Sequence, residues 1–245
     1  MKIHRFIGAF NLTPAFLEIH EPELVHQIKN VLHLSIGEQI VLCDGQGAEA
    51  TGEIMSFDKG ALQIKILEQH KNQTEPAHQA ILYCALLKRE NFEWVVQKAT
   101  EVGVTEIVPV ISARTVKLKI NRKRSQLITR EAAEQSGRGM VPMIHEPMKF
   151  EQALIQAKQS GMTYFFDSIR AGDQAWGVTP GQDPRDYVRL FIGPEGGWTE
   201  EEVMAAKKAG CQMMSLGPLT FRAETAAIIA TYLATCATLF VPPKR

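Results

Sequence analysis

The sequence has no excess of charge of either sign, because lysine plus arginine and aspartate plus glutamate each number 27 among its 245 residues. The chain as a whole therefore offers no electrostatic attraction for nucleic acid, and any such attraction has to be local. Aromatic residues amount to only 7%, which argues against a stacking platform of the kind that binds single strands.

Cysteines are also few, and they stand apart from one another. None forms a C-x-x-C pair, and each lies in an apolar run: Cys43, Cys84, Cys211 and Cys236. This pattern is typical of buried thiols in a reducing compartment, so we expect a cytoplasmic protein. Residues 1–10 lack the long apolar core of a signal peptide.

Several functional patterns are missing as well. The seven histidines form neither an H-E-x-x-H motif nor a clustered ligand set, so we expect no metal site. The absence of G-x-S-x-G argues against an α/β-hydrolase. The charge-free apolar run at 225–241 is short for a membrane span and contains four threonines, so it predicts a buried or interface helix and no membrane association.

Two domains are predicted. In the first, residues 21–32 favour one short helix, and strands are expected at 39–43, 48–57 and 62–66, which together suggest a small β-barrel. The polar segment 68–79 contains Pro76 and shows no periodicity, so the boundary is placed there. The expected domains are residues 1–72 and 73–245.

The second domain alternates strands and helices, which predicts an α/β fold with a mostly parallel sheet covered on both faces. We expect a helix capped by Asn91, a second around 130–137 and a third from Phe150. The expected strands are 80–86, 107–110, 143–145, 164–167, 188–192 and 213–216. The irregular stretch 168–186 is long for a loop and suggests a functional or mobile segment.

The most specific feature is a pair of glycine-bearing loops, at 193–197 and 217–222, each between a strand and a helix. Thr199 and Glu202 form a capping box at the helix that follows the first loop. In open α/β sheets such loops build a ligand crevice at the carboxyl edge. Neither loop is a G-x-G-x-x-G or P-loop fingerprint, which argues against a nucleotide-binding oxidoreductase. Glu195 lies in the first loop and Glu224 lies two residues after the second, and both are candidates for chemistry.

A local excess of basic residues lies upstream: Arg114, Lys117, Lys119, Arg122, Lys123, Arg124, Arg130 and Arg138. Such a cluster indicates either a patch that binds RNA phosphates or a solvated helix face. Sequence alone leaves both interpretations open.

The chain resembles a known family along its full length. Residues 191–199 (FIGPEGGWT) with 216–226 (LGPLTFRAETA) are similar to the paired signature of the ribosomal RNA small subunit methyltransferase E family. Residues 30–34, 88–103 and 131–138 resemble its other motifs. One departure is Leu219, where the family usually carries arginine, and Thr220 and Phe221 replace an aliphatic pair.

The resemblance implies SPOUT-class enzymes that methylate N3 of a uridine in 16S rRNA of the small ribosomal subunit with S-adenosylmethionine. It also implies a deep C-terminal trefoil knot, an N-terminal PUA-like RNA-binding barrel and a homodimer. An apolar face at 228–239 of the terminal helix favours the same dimer. The site residues that it implies are cofactor contacts from Phe166, Ile192, Gly193, Pro194, Gly196, Leu216, Gly217, Phe221 and Thr225, and RNA contacts from Arg5, Arg114, Lys117, Lys119, Arg122 and Arg138.

The implied chemistry assigns roles to three further residues. Uridine N3 carries a proton that must leave, and arginine cannot accept it. Arg222 is therefore expected to stabilise the uridine anion or its phosphate. Glu195 or Glu224 is expected to take the proton, although either could instead cap loop backbone. The competing hypothesis is an RNA-binding assembly protein without catalysis, which binding of S-adenosylmethionine would exclude.

Overall fold

The computed structural model describes residues 3–58, 60–116, 119–158, 161–167 and 187–236. The chain divides into two compact units: an N-terminal unit of residues 1–75 with 133–141, and a C-terminal unit of residues 76–132 with 142–245. The main break lies close to the predicted one. The return of 133–141 to the N-terminal unit differs from the predicted continuous division, because nothing in that segment's local pattern reveals which core it joins.

The N-terminal unit is built on a five-stranded sheet. Its strands are β1 (His4–Ile7), β2 (Phe16–Ile19), β3 (Gln39–Cys43), β4 (Ala48–Asp58) and β5 (Ala61–Lys71), in the order β1-β3-β4-β5-β2. Only β1 and β3 pair in parallel. Helix α1 (Pro22–His26) continues into one π-helical turn, Gln27–Val31.

The core of this unit follows from strand alternation. Leu62 and Ile64 are fully buried, whereas Gln63 and Lys65 between and after them are exposed, as the period of two requires. Ile28 of the π-helical turn is fully buried in the same core. The predicted strands at 39–43, 48–57 and 62–66 are confirmed, whereas β1 and β2 were not predicted.

The C-terminal unit contains seven strands in the part that the structure describes. They are β6 (Gln79–Ala85), β7 (Glu106–Ile111), β8 (Met143–Ile144), β9 (Met148–Lys149), β10 (Met162–Phe166), β11 (Tyr187–Ile192) and β12 (Gln212–Met214). The order is β12-β10-β11-β6-β7-β8, with β9 beside β7, and every pair is parallel. The strands therefore all end at one edge, where their loops gather.

Helices cover both faces of this sheet. They are α2 (Arg89–Glu101), α3 (Arg122–Ser136), α4 (Phe150–Ala157), α5 (Glu200–Lys208) and α6 (Ala223–Thr235). Leu82 and Cys84 of β6 pack in a core with side chains of α2 and α6, and the alternate residues Ile81 and Tyr83 pack in a second core with those of α4 and α5. The predicted α/β fold with a mostly parallel, doubly covered sheet is confirmed.

Some element boundaries differ from the prediction. Helix α2 begins at Arg89 with Lys88 at its N-cap, so Asn91 lies inside the first turn and is not the cap. Helix α3 begins at Arg122, well before the predicted 130–137, and so includes part of the basic cluster. The predicted loop at 168–186 lies outside the described residues. No helix within the described ranges is long and apolar enough to cross a membrane.

Candidate active site

A cavity of about 680 Å³ lies at the carboxyl edge of the parallel sheet, and its walls come from the loops after β6, β10, β11 and β12 and the first turns of α2 and α6. Ten of the residues that were predicted as catalytic or cofactor-binding line it: Phe166, Ile192, Gly193, Pro194, Glu195, Gly196, Leu216, Phe221, Arg222 and Glu224. Gly217 and Thr225 are not in the lining. Sequence reasoning missed the contributions of Lys88, Asn91, Asp167 and Trp198, among others.

The first glycine loop, residues 193–197, is pressed against Trp198. The indole is 6% exposed, donates from Nε1 to the Phe166 carbonyl at 3.0 Å and packs on Phe165 with ring centroids 4.6 Å apart. A Cβ on Gly193 would meet this ring at 3.0 Å. Glycine at this position therefore allows the loop to pack closely on Trp198, and the loop backbone forms part of the cavity wall.

Buried Glu202 connects this loop to the turn after β7. Its Oε2 accepts from the Thr199 backbone N–H at 2.8 Å, which completes the predicted capping box of α5, and its Oε1 accepts from the Ala113 N–H at 2.8 Å. Arg114 adds a second link, since its Nη1 donates to the Gly196 carbonyl at 2.6 Å. The turn after β7 thus supports the glycine loop from outside the cavity.

The second glycine-bearing loop, residues 217–222, is held by a hydrogen bond to Ser215, which precedes it by two residues. Gly217 has a φ of 121°, a conformation that favours glycine, and its N–H donates to the Ser215 hydroxyl at 3.2 Å. Leu219, which stands where the resembling family usually has arginine, is 70% exposed. Arg222 is the N-cap of α6, is exposed and has extended backbone geometry. The loop therefore presents a guanidinium at the cavity.

The two candidate carboxylates have different surroundings. Glu195 is exposed, and its Oε1 accepts from the Lys88 backbone N–H at 3.4 Å. Glu224 is half-buried, and its Oε2 is inaccessible to solvent and has no hydrogen-bond partner within the described ranges. Burial raises the pKa of the adjacent Cys84 thiol to about 12, and the negative charges of both glutamates add to the effect. Cys84 is therefore a neutral, inert residue behind the site.

The predicted RNA-binding residues are placed unequally. Lys119 is exposed, and Arg114 is exposed apart from its contact with the glycine loop. Arg122 lies in the first turn of α3 and forms an exposed ion pair with Glu146 at 2.6 Å. Such a pair contributes little in water and leaves the arginine accessible. Lys117 lies outside the described residues.

Arg5 and Arg138 are less accessible than the other predicted RNA-binding residues that the structure describes, and each is paired with a carboxylate. The Arg138 side chain is 5% exposed and pairs with Glu75 at 2.8 Å. The Arg5 side chain is 19% exposed, contacts the Glu49 carboxylate and donates to the Cys43 sulfur at 3.0 Å. Their charges are already paired inside the N-terminal unit, and RNA contacts from these two residues stay a prediction.

No group of three or more potential metal ligands occurs among the described residues. What the arrangement offers instead is a cavity between two glycine-bearing loops, lined by the exposed Arg222 and by three acidic residues, Asp167, Glu195 and Glu224. Such a site suits a reaction in which alignment, charge stabilisation and one proton transfer are the tasks of the protein.

Comparison with known proteins agrees with this site. Residues 73–235 match the family model for an RNA methyltransferase domain, and residues 22–67 match that for an RNA methyltransferase PUA domain. The chain is 33% identical over 218 residues to ribosomal RNA small subunit methyltransferase E of Bacillus subtilis (strain 168), covering 85% of both chains. It is 34% identical over 171 residues to the protein of that name from Mesomycoplasma hyopneumoniae (strain 232), covering 68% of this chain and 73% of the relative.

A solved structure shows the same relationship. The ribosomal RNA small subunit methyltransferase E from Neisseria gonorrhoeae, bound to S-adenosyl methionine, is similar with a TM-score of 0.85 at 29% identity, and the match covers 98% of each chain. From these matches, the chain belongs to the ribosomal RNA small subunit methyltransferase E family.

Proposed function

We propose that this chain methylates N3 of a uridine in 16S rRNA of the small ribosomal subunit, in the cytoplasm, with S-adenosylmethionine as methyl donor. The observation that carries the proposal is the cavity at the ends of β11 and β12, which is lined by residues of both glycine-bearing loops. Relatives named for this activity and a relative bound to S-adenosyl methionine support it.

The cavity fits such a cofactor on three observations. Its volume lies in the range of about 300–1,000 Å³ that small-molecule sites occupy. Gly193 and Gly196 line the cavity without side chains beyond the backbone, so a ligand can approach the loop backbone closely. The lining also includes a few polar groups, such as Lys88 and Asn91, of the kind that orient a ligand. Bound S-adenosylmethionine would supply a methyl carbon on a positively charged sulfur, which is what a uridine N3 anion attacks.

Glu224 is the better candidate for the proton acceptor. When N3 attacks, its N–H bond breaks and the proton must go to a base within hydrogen-bond reach. Glu195 is exposed and already accepts from the Lys88 backbone, a loop-capping role. Glu224 has an oxygen shielded from water and without a partner among the described residues. We therefore assign proton removal to Glu224 and loop support to Glu195.

Arg222 is assigned to stabilise negative charge on the uridine ring or on its phosphate. It lies two residues before Glu224 and lines the cavity, and its side chain has no hydrogen bond or ion pair within the part of the chain described here. A guanidinium donates hydrogen bonds and accepts none. A fixed positive charge beside the uracil ring favours the uridine anion that must form.

RNA contacts are proposed for the cations around the turn after β7: Arg114, Lys119 and Arg122, with Lys117 between them in sequence. The first three are exposed. The finer fold also belongs to this proposal: a deep trefoil knot in the C-terminal unit, closure of the N-terminal sheet into a PUA-like barrel, and a homodimer. Family membership supports all three.

The dimer has an additional support in α6. The residues that this helix buries in its own unit are small, such as Ala227, Ala230 and Ala234. Larger apolar residues remain partly accessible, and Tyr232 is 41% exposed. A partner that covers this face would remove their apolar surface from water.

The proposal is tested first on Arg222. Arg222→Ala should leave S-adenosylmethionine affinity by calorimetry nearly unchanged and reduce single-turnover methylation of undermethylated small subunits by about 100-fold or more. Arg222→Lys should recover little of the methylation rate if the planar guanidinium group is needed. The product should be N3-methyluridine by mass spectrometry. A methyl group on ribose, or an unaltered rate in the alanine variant, contradicts the proposal.

The assignment of the base has a matched pair of variants. Glu224→Gln keeps size and shape but cannot accept a proton, so methylation should fall by about 100-fold or more. Glu195→Gln keeps an oxygen that can accept from the Lys88 N–H, so its rate should stay within about threefold of wild type. Equal losses in the two variants would refute the distinction between these carboxylates.

A further inference from the structure

Arg114, which is expected to bind RNA, also contacts the first glycine loop, residues 193–197. Its Nη1 donates to the Gly196 carbonyl at 2.6 Å, and its Cδ and Cβ lie 3.4 and 3.6 Å from where a Gly196 Cβ would be. The side chain therefore lies flat along the loop backbone. Gly196 itself lines the cavity.

The turn that carries Arg114 is firmly held. Glu202, 7% exposed, accepts from the Ala113 N–H on one side and from the Thr199 N–H on the other. The Thr115 hydroxyl accepts from the Ser112 N–H at 2.9 Å. A change in the position of Arg114 is therefore transmitted to residues 193–199 and is not absorbed by a loose turn.

The guanidinium retains unused hydrogen-bonding capacity. Its one side-chain hydrogen bond within the described residues is that to Gly196, and the residue is exposed. A guanidinium carries several N–H donors in a rigid planar fork, so one edge can hold a carbonyl while another binds a phosphate. Lys119 and Arg122 follow in the same segment and add positive charge.

We propose that Arg114 is a positioning residue that couples the two substrates, because it holds the cofactor loop through Gly196 and binds an RNA phosphate with its free edge. The inference rests on the proposed function. A phosphate restricts the rotamers of the side chain, so the contact with Gly196 then forms at a smaller entropy loss. RNA binding thereby orders the loop that receives the cofactor.

Coupling of this kind is reciprocal. If RNA tightens cofactor binding by some factor, the cofactor must tighten RNA binding by the same factor. Factors of about 5 to 150 are typical, and we expect at least about fivefold here. Independent sites would give a factor of one in both measurements.

The experiment uses S-adenosylhomocysteine, which permits no turnover, and an unmodified 16S rRNA transcript. The affinity for S-adenosylhomocysteine is measured with and without saturating RNA, and the affinity for RNA with and without saturating S-adenosylhomocysteine. Arg114→Ala should abolish the coupling in both arms. Arg114→Lys should keep most of the RNA affinity but lose the coupling, because an ammonium is a point charge without the fork.

Arg122→Ala is the matched control. Arg122 is an exposed cation in the same segment, and its ion pair within the described residues is with Glu146 and not with the glycine loop. This variant should weaken RNA binding and lower its salt dependence while leaving the coupling factor intact. Coupling that survives in Arg114→Ala, or that is lost equally in Arg122→Ala, overturns the inference. Absence of coupling in a wild-type protein that binds S-adenosylhomocysteine and methylates RNA also overturns it, whereas failure to bind S-adenosylhomocysteine contradicts the proposed function itself.

Discussion

Replacing Gly193 by alanine tests whether the cavity wall formed by the first glycine loop depends on close packing against Trp198. The backbone tolerates the change, because the φ of Gly193 is not positive. The new Cβ would lie 3.0 Å from Cε2 and Nε1 of the indole and 3.3 Å from its Cδ1. The ring cannot easily retreat, since it is buried, hydrogen-bonded to Phe166 and packed on Phe165. The loop must therefore shift by a few tenths of an ångström.

The magnitude follows from overpacking. An extra methyl group in a close-packed site costs about 1–3 kcal/mol. Loss of a glycine from the unfolded chain offsets about 0.4–1 kcal/mol of this. A net destabilisation of about 1–2 kcal/mol should lower Tm by about 2–4 °C for each kcal/mol. The shifted loop must also move back to bind the cofactor, and if this costs a further ~1–2 kcal/mol, affinity should fall by about 5- to 30-fold.

Gly196→Ala is the control on the same loop. Its new Cβ would make an ordinary 3.4 Å contact with the flexible Arg114 side chain, and its φ is also not positive. Stability should stay within about 0.5 kcal/mol of wild type. Scanning calorimetry and titration with S-adenosylmethionine measure both quantities. Equal effects of the two substitutions, or no effect of Gly193→Ala, would refute the packing argument.

Three other outcomes are expected. Static light scattering at micromolar concentration should give the mass of a dimer, and a monomer mass would exclude the proposed role of α6. Burial opposes ionisation of the Glu49 carboxylate, but hydrogen bonds from Arg5 and Asn72 outweigh it and lower its pKa, so its contribution is present above its unfolded pKa and lost as pH falls through the folded pKa. Glu49→Gln should therefore lower the free energy of unfolding by about 3 kcal/mol at pH 7, measured by urea unfolding. It should also make this free energy depend less steeply on pH in acid, and an unchanged dependence would contradict the assignment. Burial raises the pKa of both the Cys43 and Cys84 thiols to about 12, so mass spectrometry after iodoacetamide treatment at pH 8 should find both unmodified in the native protein and modified after unfolding.

The parallel sheet and the crevice could be predicted from sequence because both rest on local patterns. Alternation and apolar runs marked the strands, and Thr199 with Glu202 marked the start of α5. Strands β1 and β2 were missed because each has only four residues, too few to establish a period. The start of α2 was misplaced because Asn91 is a good cap by type, whereas the structure caps the helix with Lys88.

The failures at the site have another cause, which is distance along the chain. Lys88 meets Glu195 because β6 lies beside β11 in the sheet, an order that no local pattern encodes. Arg138 was expected to be a surface cation, but its partner Glu75 lies 63 residues earlier. Whether an arginine binds RNA or a buried carboxylate depends on such long-range neighbours. Composition and spacing therefore located the site but could not decide which of its charges are free.

The return of residues 133–141 to the N-terminal unit determines how the chain can be divided. A fragment that ended at residue 75 would lose the Arg138 partner of Glu75 and the Glu134 carboxylate that accepts from the Ile7 N–H at 2.8 Å. It would also expose Ile7 and Cys43, which pack against Ala133. The N-terminal unit can therefore not be isolated by a single cut, and shortening the protein from its C-terminal side must stop beyond residue 141 if that unit is to remain folded.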